Sequence, residues 1–199
     1  MKNISTMKIK IIVGSTRQNR FSEKPARWIY EKTKNTDDVE TELLDLRDYP
    51  MPFFDEPVSP TMNKNGYPNE TVKAWAQRIG EADGYIVVTP EYNHGYPAVL
   101  KNAMDYVYKE WNNKPIGFVS YGSVGGARSI EQLRQVAVEL QMAPIRSAIH
   151  IPSFWMMLDA KGNLKEKAFD SLEGGAKKFL EQLLWWARAL KNARNAIST

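Results

Sequence analysis

The chain has 199 residues, of which 43% are apolar and 25% charged, with a formal net charge of +4; such a length and balance suit one globular domain whose core needs no staples. There is no cysteine and there are only two histidines, His94 and His150, which excludes disulfides, thiol chemistry, iron–sulfur clusters and cysteine-ligated or multi-histidine metal sites. Lysines and arginines are scattered among acids, and no apolar run approaches the ~18–20 residues of a membrane span, so neither nucleic acid nor a membrane is an expected partner.

The N-terminal MKNISTMKIK lacks the apolar stretch of a secretory signal, and a cytoplasmic location is expected. Residues 1–7 and 191–199 read as flexible tails of a single domain spanning 1–199.

Lys8–Val13 reads as a strand, KIKIIV. Pro25–Thr33 reads as a helix with Ala26, Ile29, Tyr30 and Thr33 on one face. Val39–Leu46 alternates apolar and charged residues, as a half-solvated strand does. Asp48–Asn69 carries five prolines and reads as a long linker of the kind that is often functional or disordered. Glu70–Glu81 is a helix that buries Val72, Trp75, Ala76 and Ile79. Tyr85–Thr89, YIVVT, is a fully apolar strand stopped by Pro90. Pro97–Trp111 is the clearest helix, with Leu100, Ala103, Met104, Val107, Tyr108 and Trp111 at helical spacing. Ile116–Tyr121 is another apolar strand, and Ile130, Leu133, Ala137 and Leu140 mark the helix after it. Pro144–Ile149 alternates again. A last helix is expected over Lys165–Leu190, its stripe running from Phe169 through Phe179 to Leu190.

Strands and helices therefore alternate, which implies a parallel sheet with helices on both faces. Strands buried on both sides are continuous apolar runs; here those are the first, third and fourth. The alternating second and fifth belong at the edges. The expected architecture is thus α/β, a flavodoxin-like three-layer sandwich with a five-stranded parallel sheet in the order 2-1-3-4-5.

In such a sheet ligands sit beyond the carboxyl ends of the strands, where the strand order reverses. The turn Gly14–Ser22 lies there. Ser15, Thr16 and Ser22 supply hydroxyls, and Arg17 and Arg20 supply charge in forked geometry. Neither the triphosphate loop nor the dinucleotide glycine pattern is present, which leaves one terminal monophosphate, with an ordinary surface turn as the bland alternative. The loops after the third and fourth strands, PEYNHGYP and YGSVGG, share that edge and carry aromatic rings and flexible backbone. A phosphate at one end and a flat ring at the other describe a mononucleotide, and the fold makes flavin mononucleotide the leading candidate.

GSTRxxR, PEYNHGYPAVLKNAMDY and SYGSVGGARSIEQLRQV, with FFDEP before the linker, resemble the NADPH-dependent FMN reductase family over roughly Lys8 to Ile151. That resemblance implies an FMN-dependent NAD(P)H oxidoreductase working by ping-pong turnover. Hydride would pass from NADPH or NADH to flavin N5, then on to a quinone, flavin, azo compound or similar small acceptor. No protein residue would then be catalytic in the covalent sense. It assigns the FMN phosphate to Ser15, Arg17, Arg20 and Ser22, and the isoalloxazine edge to Pro90, Glu91, Tyr92, Asn93 and His94. Tyr121, Gly122, Ser123 and Gly126 would approach the pyrimidine side, with amides near Gly122 and Ser123 facing negative charge on the reduced ring.

Gly95 and Ser22 depart from many relatives, which have Ser and Gly there. His94 invites a general-acid reading, against which stands simple packing beside the ring. The resemblance also implies a homodimer, with the Pro97–Trp111 helix and the proline-rich linker as candidate contacts. Tyr106 and Trp111 suit either a dimer surface or the core, and Trp185 suits either a subunit contact or packing on its own chain. The competing functional reading is a flavodoxin-type FMN electron carrier without its own NAD(P)H reductase activity.

Overall fold

Apolar residues two apart on each central strand feed two separate cores, and the helices fall where those cores need covering. The computed structural model describes residues 6–197. In chain order these form β1 (Met7–Val13), α1 (Glu23–Lys34), β2 (Val39–Asp45), α2 (Glu70–Gly80), β3 (Gly84–Pro90), α3 (Ala98–Asp105), β4 (Pro115–Gly122), α4 (Ala127–Glu139), β5 (Ala143–Pro152) and α5 (Glu173–Ile197). Every strand pairing is parallel and the order is β2-β1-β3-β4-β5. That is the flavodoxin-like order expected from the sequence.

Ile9, Ile11 and Val13 of β1 join Ile86 and Val88 of β3 under α1 and α5. Ile12 and Val87, one residue out of phase, join the opposite core under α2, α3 and α4, as the two-residue period of a strand dictates. Lys10 shares that second phase and is buried. Its ammonium is neutralised by Glu42 and by Glu81, the latter at 3.3 Å. Gly117 sits in the middle of β4 because Phe179 of α5 packs directly onto it; a Cβ there would lie 2.6 Å from the Phe179 ring.

The structure corrects several sequence boundaries. Helix α3 stops at Asp105 rather than at Trp111. Trp111 is still buried, because its indole N–H donates to the carbonyl of Met104 at 3.2 Å and so satisfies the helix end. Tyr106 is buried as well, so both aromatics belong to the core and neither is a dimer surface. Helix α5 begins at Glu173, not Lys165. Before it, the Asp159 carboxylate accepts the N–H groups of Lys161 and Asn163 in a tight turn, and Phe169 reaches the core from irregular chain by stacking on Trp28.

The linker is anchored rather than structureless. The Asn102 side chain accepts from the Phe54 N–H at 2.8 Å and donates to the Pro52 carbonyl at 2.7 Å. Phe53 and Met62 remain largely exposed on it. The expected tails are also revised: Met7 is buried in β1, and α5 continues to Ile197. Residues 1–5 and 198–199 of those tails lie outside the described residues. Trp185 and Trp186 both stay substantially exposed and meet edge to face.

Candidate functional site

The sheet order reverses between β1 and β3, and the loops leaving β1, β3 and β4 meet at that end. Hydrogen bonds stitch them together. The Gly14 N–H donates to the Val88 carbonyl at 2.8 Å, and the Glu91 N–H donates to the Tyr121 carbonyl at 3.0 Å. The hydroxyls of Ser15 and Tyr92 are 2.8 Å apart, which ties the first loop to the second. The second is tied to α4 by Glu91. Its carboxylate accepts the Arg128 N–H at 3.1 Å and the Arg128 Nε at 2.6 Å.

That contact has an electrostatic consequence. Burial pushes the Glu91 carboxyl up, but the bonds from Arg128 outweigh burial and hold it below the usual range. A carboxylate therefore occupies the positive end of the α4 dipole. At the other helix start, the β1–α1 turn, Arg17 is exposed and its guanidinium has no side-chain partner among the described residues. Of these two helix starts, the turn before α1 is the one where positive charge is left unspent.

The remaining expected residues sort by what they touch. Arg20 is buried and its guanidinium is committed to Asp45, Glu23 and the Ser15 carbonyl. Burial disfavours its charge, yet the bond it donates to Asp45 leaves its pKa raised, while Asp45, pushed up by burial, ends lowered by Arg20. Ser22 is fully buried, its hydroxyl 2.8 Å from that of Tyr121. Tyr121 lies beneath the turn rather than open to it, packed edge-on to Phe21 and Phe154. Burial pushes its phenol up to about 12.

Pro90 ends β3 opposite Tyr121. Asn93 and His94 both adopt positive φ, 48° and 75°, between reciprocal Tyr92–Gly95 backbone bonds. That is the two-residue hairpin turn in which asparagine is favoured. His94 Nδ1 lies 3.1 Å from Arg128 Nη1. A guanidinium can only donate, so the hydrogen-bond network assigns Nδ1 as acceptor and the neutral ring's proton to Nε2.

In the third loop the Gly122 carbonyl accepts from Gly125 at 3.3 Å and from Ser153 at 2.9 Å, and Ser123 is exposed. Gly126 has φ of 73°, and a Cβ there would collide with Ser120 at 2.6 Å. His150 holds the underside of this loop, its Nδ1 3.2 Å from the Gly125 carbonyl.

Sequence reasoning missed Glu23, Asp45, Arg47 and Arg128. Arg128 directly follows the glycine-rich turn and could have been read as a partner for Glu91. Asp45 ends a different strand, Arg47 follows it, and neither gave a local signal. Among the described residues no group of acids and histidines could hold a metal ion, and no helix is long and apolar enough to cross a membrane. A groove of about 1080 Å³ floored by Leu180 and Leu184 runs between α1 and α5. It includes no residue of the three loops, and size alone does not make it the site.

The residues fit a singly phosphorylated flavin. An unpaired guanidinium and unbonded amides stand at one end, and at the other is the Gly122–Gly126 turn, whose Gly126 packs on Ser120 too closely for a Cβ. The sequence profile of NADPH-dependent FMN reductase matches residues 7–156. The chain is similar to an NAD(P)H-dependent FMN reductase of Schizosaccharomyces pombe, 44% identical over 149 residues that cover 74% of each chain. It is also similar to a 2-hydroxy-1,4-benzoquinone reductase of a Burkholderia species, 30% identical over 79% of this chain and 85% of that one. A flavoenzyme NAD(P)H:(acceptor) oxidoreductase of Paracoccus denitrificans shares the fold, with a TM-score of 0.68 at 23% identity over 89% of this chain and 97% of that one.

Proposed function

The chain belongs to the NADPH-dependent FMN reductase family, an FMN-dependent NAD(P)H oxidoreductase, and we propose that it works by ping-pong turnover with a small quinone as acceptor. When bound, FMN supplies the redox chemistry, and no side chain needs to act as a nucleophile. NAD(P)H and the acceptor use the site in turn. The benzoquinone-reducing relative supports the choice of acceptor class.

The observation that carries this reading is the unpaired Arg17 guanidinium on a turn whose other charges are neutralised. Arg17 and Ser15 receive the phosphate, with the amides between Thr16 and Arg20. Arg20 and Ser22 act from beneath, the first on the loop carbonyl and the second on Tyr121. Pro90, Tyr92, Asn93 and His94 form the wall of the ring site, and Glu91 fixes that wall to α4 through Arg128. The turn Gly122–Gly126 faces the other ring edge with backbone, where preorganised N–H groups stabilise negative charge. His94, already accepting from Arg128 through Nδ1, packs at the rim. The protein acts in the cytoplasm, as a homodimer whose contact includes the exposed Phe53 and Met62 of the linker.

The test is the visible spectrum of the purified protein with supplied FMN, before and after NADPH, followed by turnover with a benzoquinone. Bleaching by NADPH, recovery on adding quinone, and parallel lines in double-reciprocal plots are expected. Absence of flavin binding, or bleaching only by a partner protein, would reject the reading.

A further inference from the structure

Three consecutive carbonyls of the β1–α1 turn are held from behind by two guanidiniums. Arg20 Nη1 donates to the Ser15 carbonyl. Arg47, from the turn that follows β2, donates through Nη2 to the Arg17 carbonyl at 2.6 Å and through Nε to the Thr16 carbonyl at a longer 3.4 Å. Both arginines are neutralised in place. Arg20 Nη1 lies 2.8 Å from Asp45 Oδ1, and Glu23 Oε1 accepts from Arg20 Nε at 3.2 Å and from Arg47 Nη1 at 3.1 Å. Asp45 Oδ1 also accepts the Arg47 N–H at 2.9 Å. One carboxylate at the end of β2 therefore fixes both arginines.

In a planar trans peptide, a carbonyl and the N–H of the next residue point to opposite sides. Drawing the carbonyls of Ser15, Thr16 and Arg17 toward the guanidiniums turns the amides of Thr16, Arg17 and Gln18 the other way. The Arg17 amide is steadied by Ser15 Oγ at 3.3 Å. Those of Thr16 and Gln18 donate to no group among the described residues. Successive amides facing one way make an anion-binding concavity.

We propose that Arg47, acting with Arg20, is a positioning residue for this concavity: it sets the affinity for the flavin phosphate without touching it. The inference rests on the assignment of this turn to the phosphate made under the proposed function. Arg47 is suited to the role because each of its three guanidinium nitrogens donates within the clamp. Its forked geometry serves two carbonyls and a carboxylate at once, which an ammonium cannot do.

The experiment titrates flavin-free full-length protein with FMN and with riboflavin, which differ only by the phosphate. Arg47→Met is expected to raise the FMN dissociation constant roughly tenfold, as for one charge-assisted bond lost, with riboflavin binding unchanged. Arg47→Lys keeps the charge and is expected to weaken FMN selectively in the same direction. It carries the test if the methionine variant fails to fold. Weakening of both flavins together, no change in either, or full FMN affinity in Arg47→Lys would overturn the proposal.

Arg17→Ala separates the two layers of inference. If it leaves the FMN-to-riboflavin ratio intact while the Arg47 variants lower it, the direct role of Arg17 fails and the clamp stands. If it lowers the ratio while the Arg47 variants do not, the clamp alone fails.

Discussion

At the amino edge of the sheet, Asp83 accepts from the Lys8 N–H at 3.0 Å, from Lys191 at 2.7 Å and from Arg194 at 2.9 Å. Beside it the buried Lys114 ammonium donates to the carbonyls of Ile79 and Gly80 and to the Tyr85 hydroxyl. At the carboxyl edge, Arg20, Glu23, Asp45 and Arg47 satisfy one another, yet Arg17, in the same turn, faces solvent without a side-chain partner. Backbone with positive φ occurs at both edges, at Asn93, His94, Gly125 and Gly126 here and at Asp38, Asn113 and Gln141 just before β2, β4 and β5. One end spends its charges on closing the fold. The other neutralises the charges that shape its loops and keeps donors in reserve for a ligand.

The comparison breaks most visibly at Asp83. Replacing it by Ala removes the carboxylate shared by Lys191 and Arg194, which keep their bonds to the Thr6 and Asn113 carbonyls, and should cost about 3 kcal/mol, a melting decrease of roughly 6–12 °C in a chain of this size. Flavin affinity should hold, and a parallel loss of FMN binding would show that the two edges are not separate. Arg17→Ala is the converse. It should weaken FMN by about tenfold to a hundredfold, from a charged bond of ~1.5–3 kcal/mol, and leave the melting temperature in place; calorimetry and flavin fluorescence read the two effects.

Lys114 sharpens the contrast through pH. Burial, with Arg194 adding to it, lowers its folded pKa to about 7, against ~10.4 in an unfolded chain. Between those values the unfolded chain binds more protons, so stability rises with pH across that window, by on the order of 2 kcal/mol between pH 7 and pH 9. Urea midpoints at pH 7 and pH 9 should show the rise in the parent and a flatter profile in Lys114→Met.

The smallest effect belongs to Glu91. Its folded pKa is depressed, so its contribution is present above the unfolded value of ~4.3 and is lost as pH falls below it. With Arg128 partly exposed, Glu91→Gln should cost only about 0.5–1 kcal/mol. It should also loosen the loop that carries Tyr92 and His94. Limited proteolysis near that turn, unchanged between variant and parent, would argue against the tether.

The legible part of this molecule is the part carried by short-range pattern. YIVVT and IGFVSY read as strands buried on both faces and the alternating stretches at 39–46 and 144–149 as edges, a pattern consistent with the sheet order found. Boundaries were less legible where a side chain replaced a helical bond. Trp111 keeps helical spacing with Leu100 and Met104 but ends the helix through its indole N–H. Phe169 continues the stripe of α5 from outside the helix by stacking on Trp28.

At the site, the grouping of the three loops at one edge was readable, and so was the basic character of the first turn. Which arginine stays available was not. Arg17 and Arg20 are equivalent by residue type and proximity to Gly14. Their difference arises from Asp45, which β1–β2 pairing sets beside Val13 at the end of the neighbouring strand.

The apolar periodicities of the chain determined by themselves that a parallel α/β sheet forms and that its carboxyl edge gathers these loops, because burial of alternating or continuous apolar faces depends only on neighbours a few residues apart. The tertiary structure alone decided which polar groups remain unspent. Hydrogen-bond and charge satisfaction join residues from separate strands, and their partners are chosen by proximity across the sheet, not along the chain.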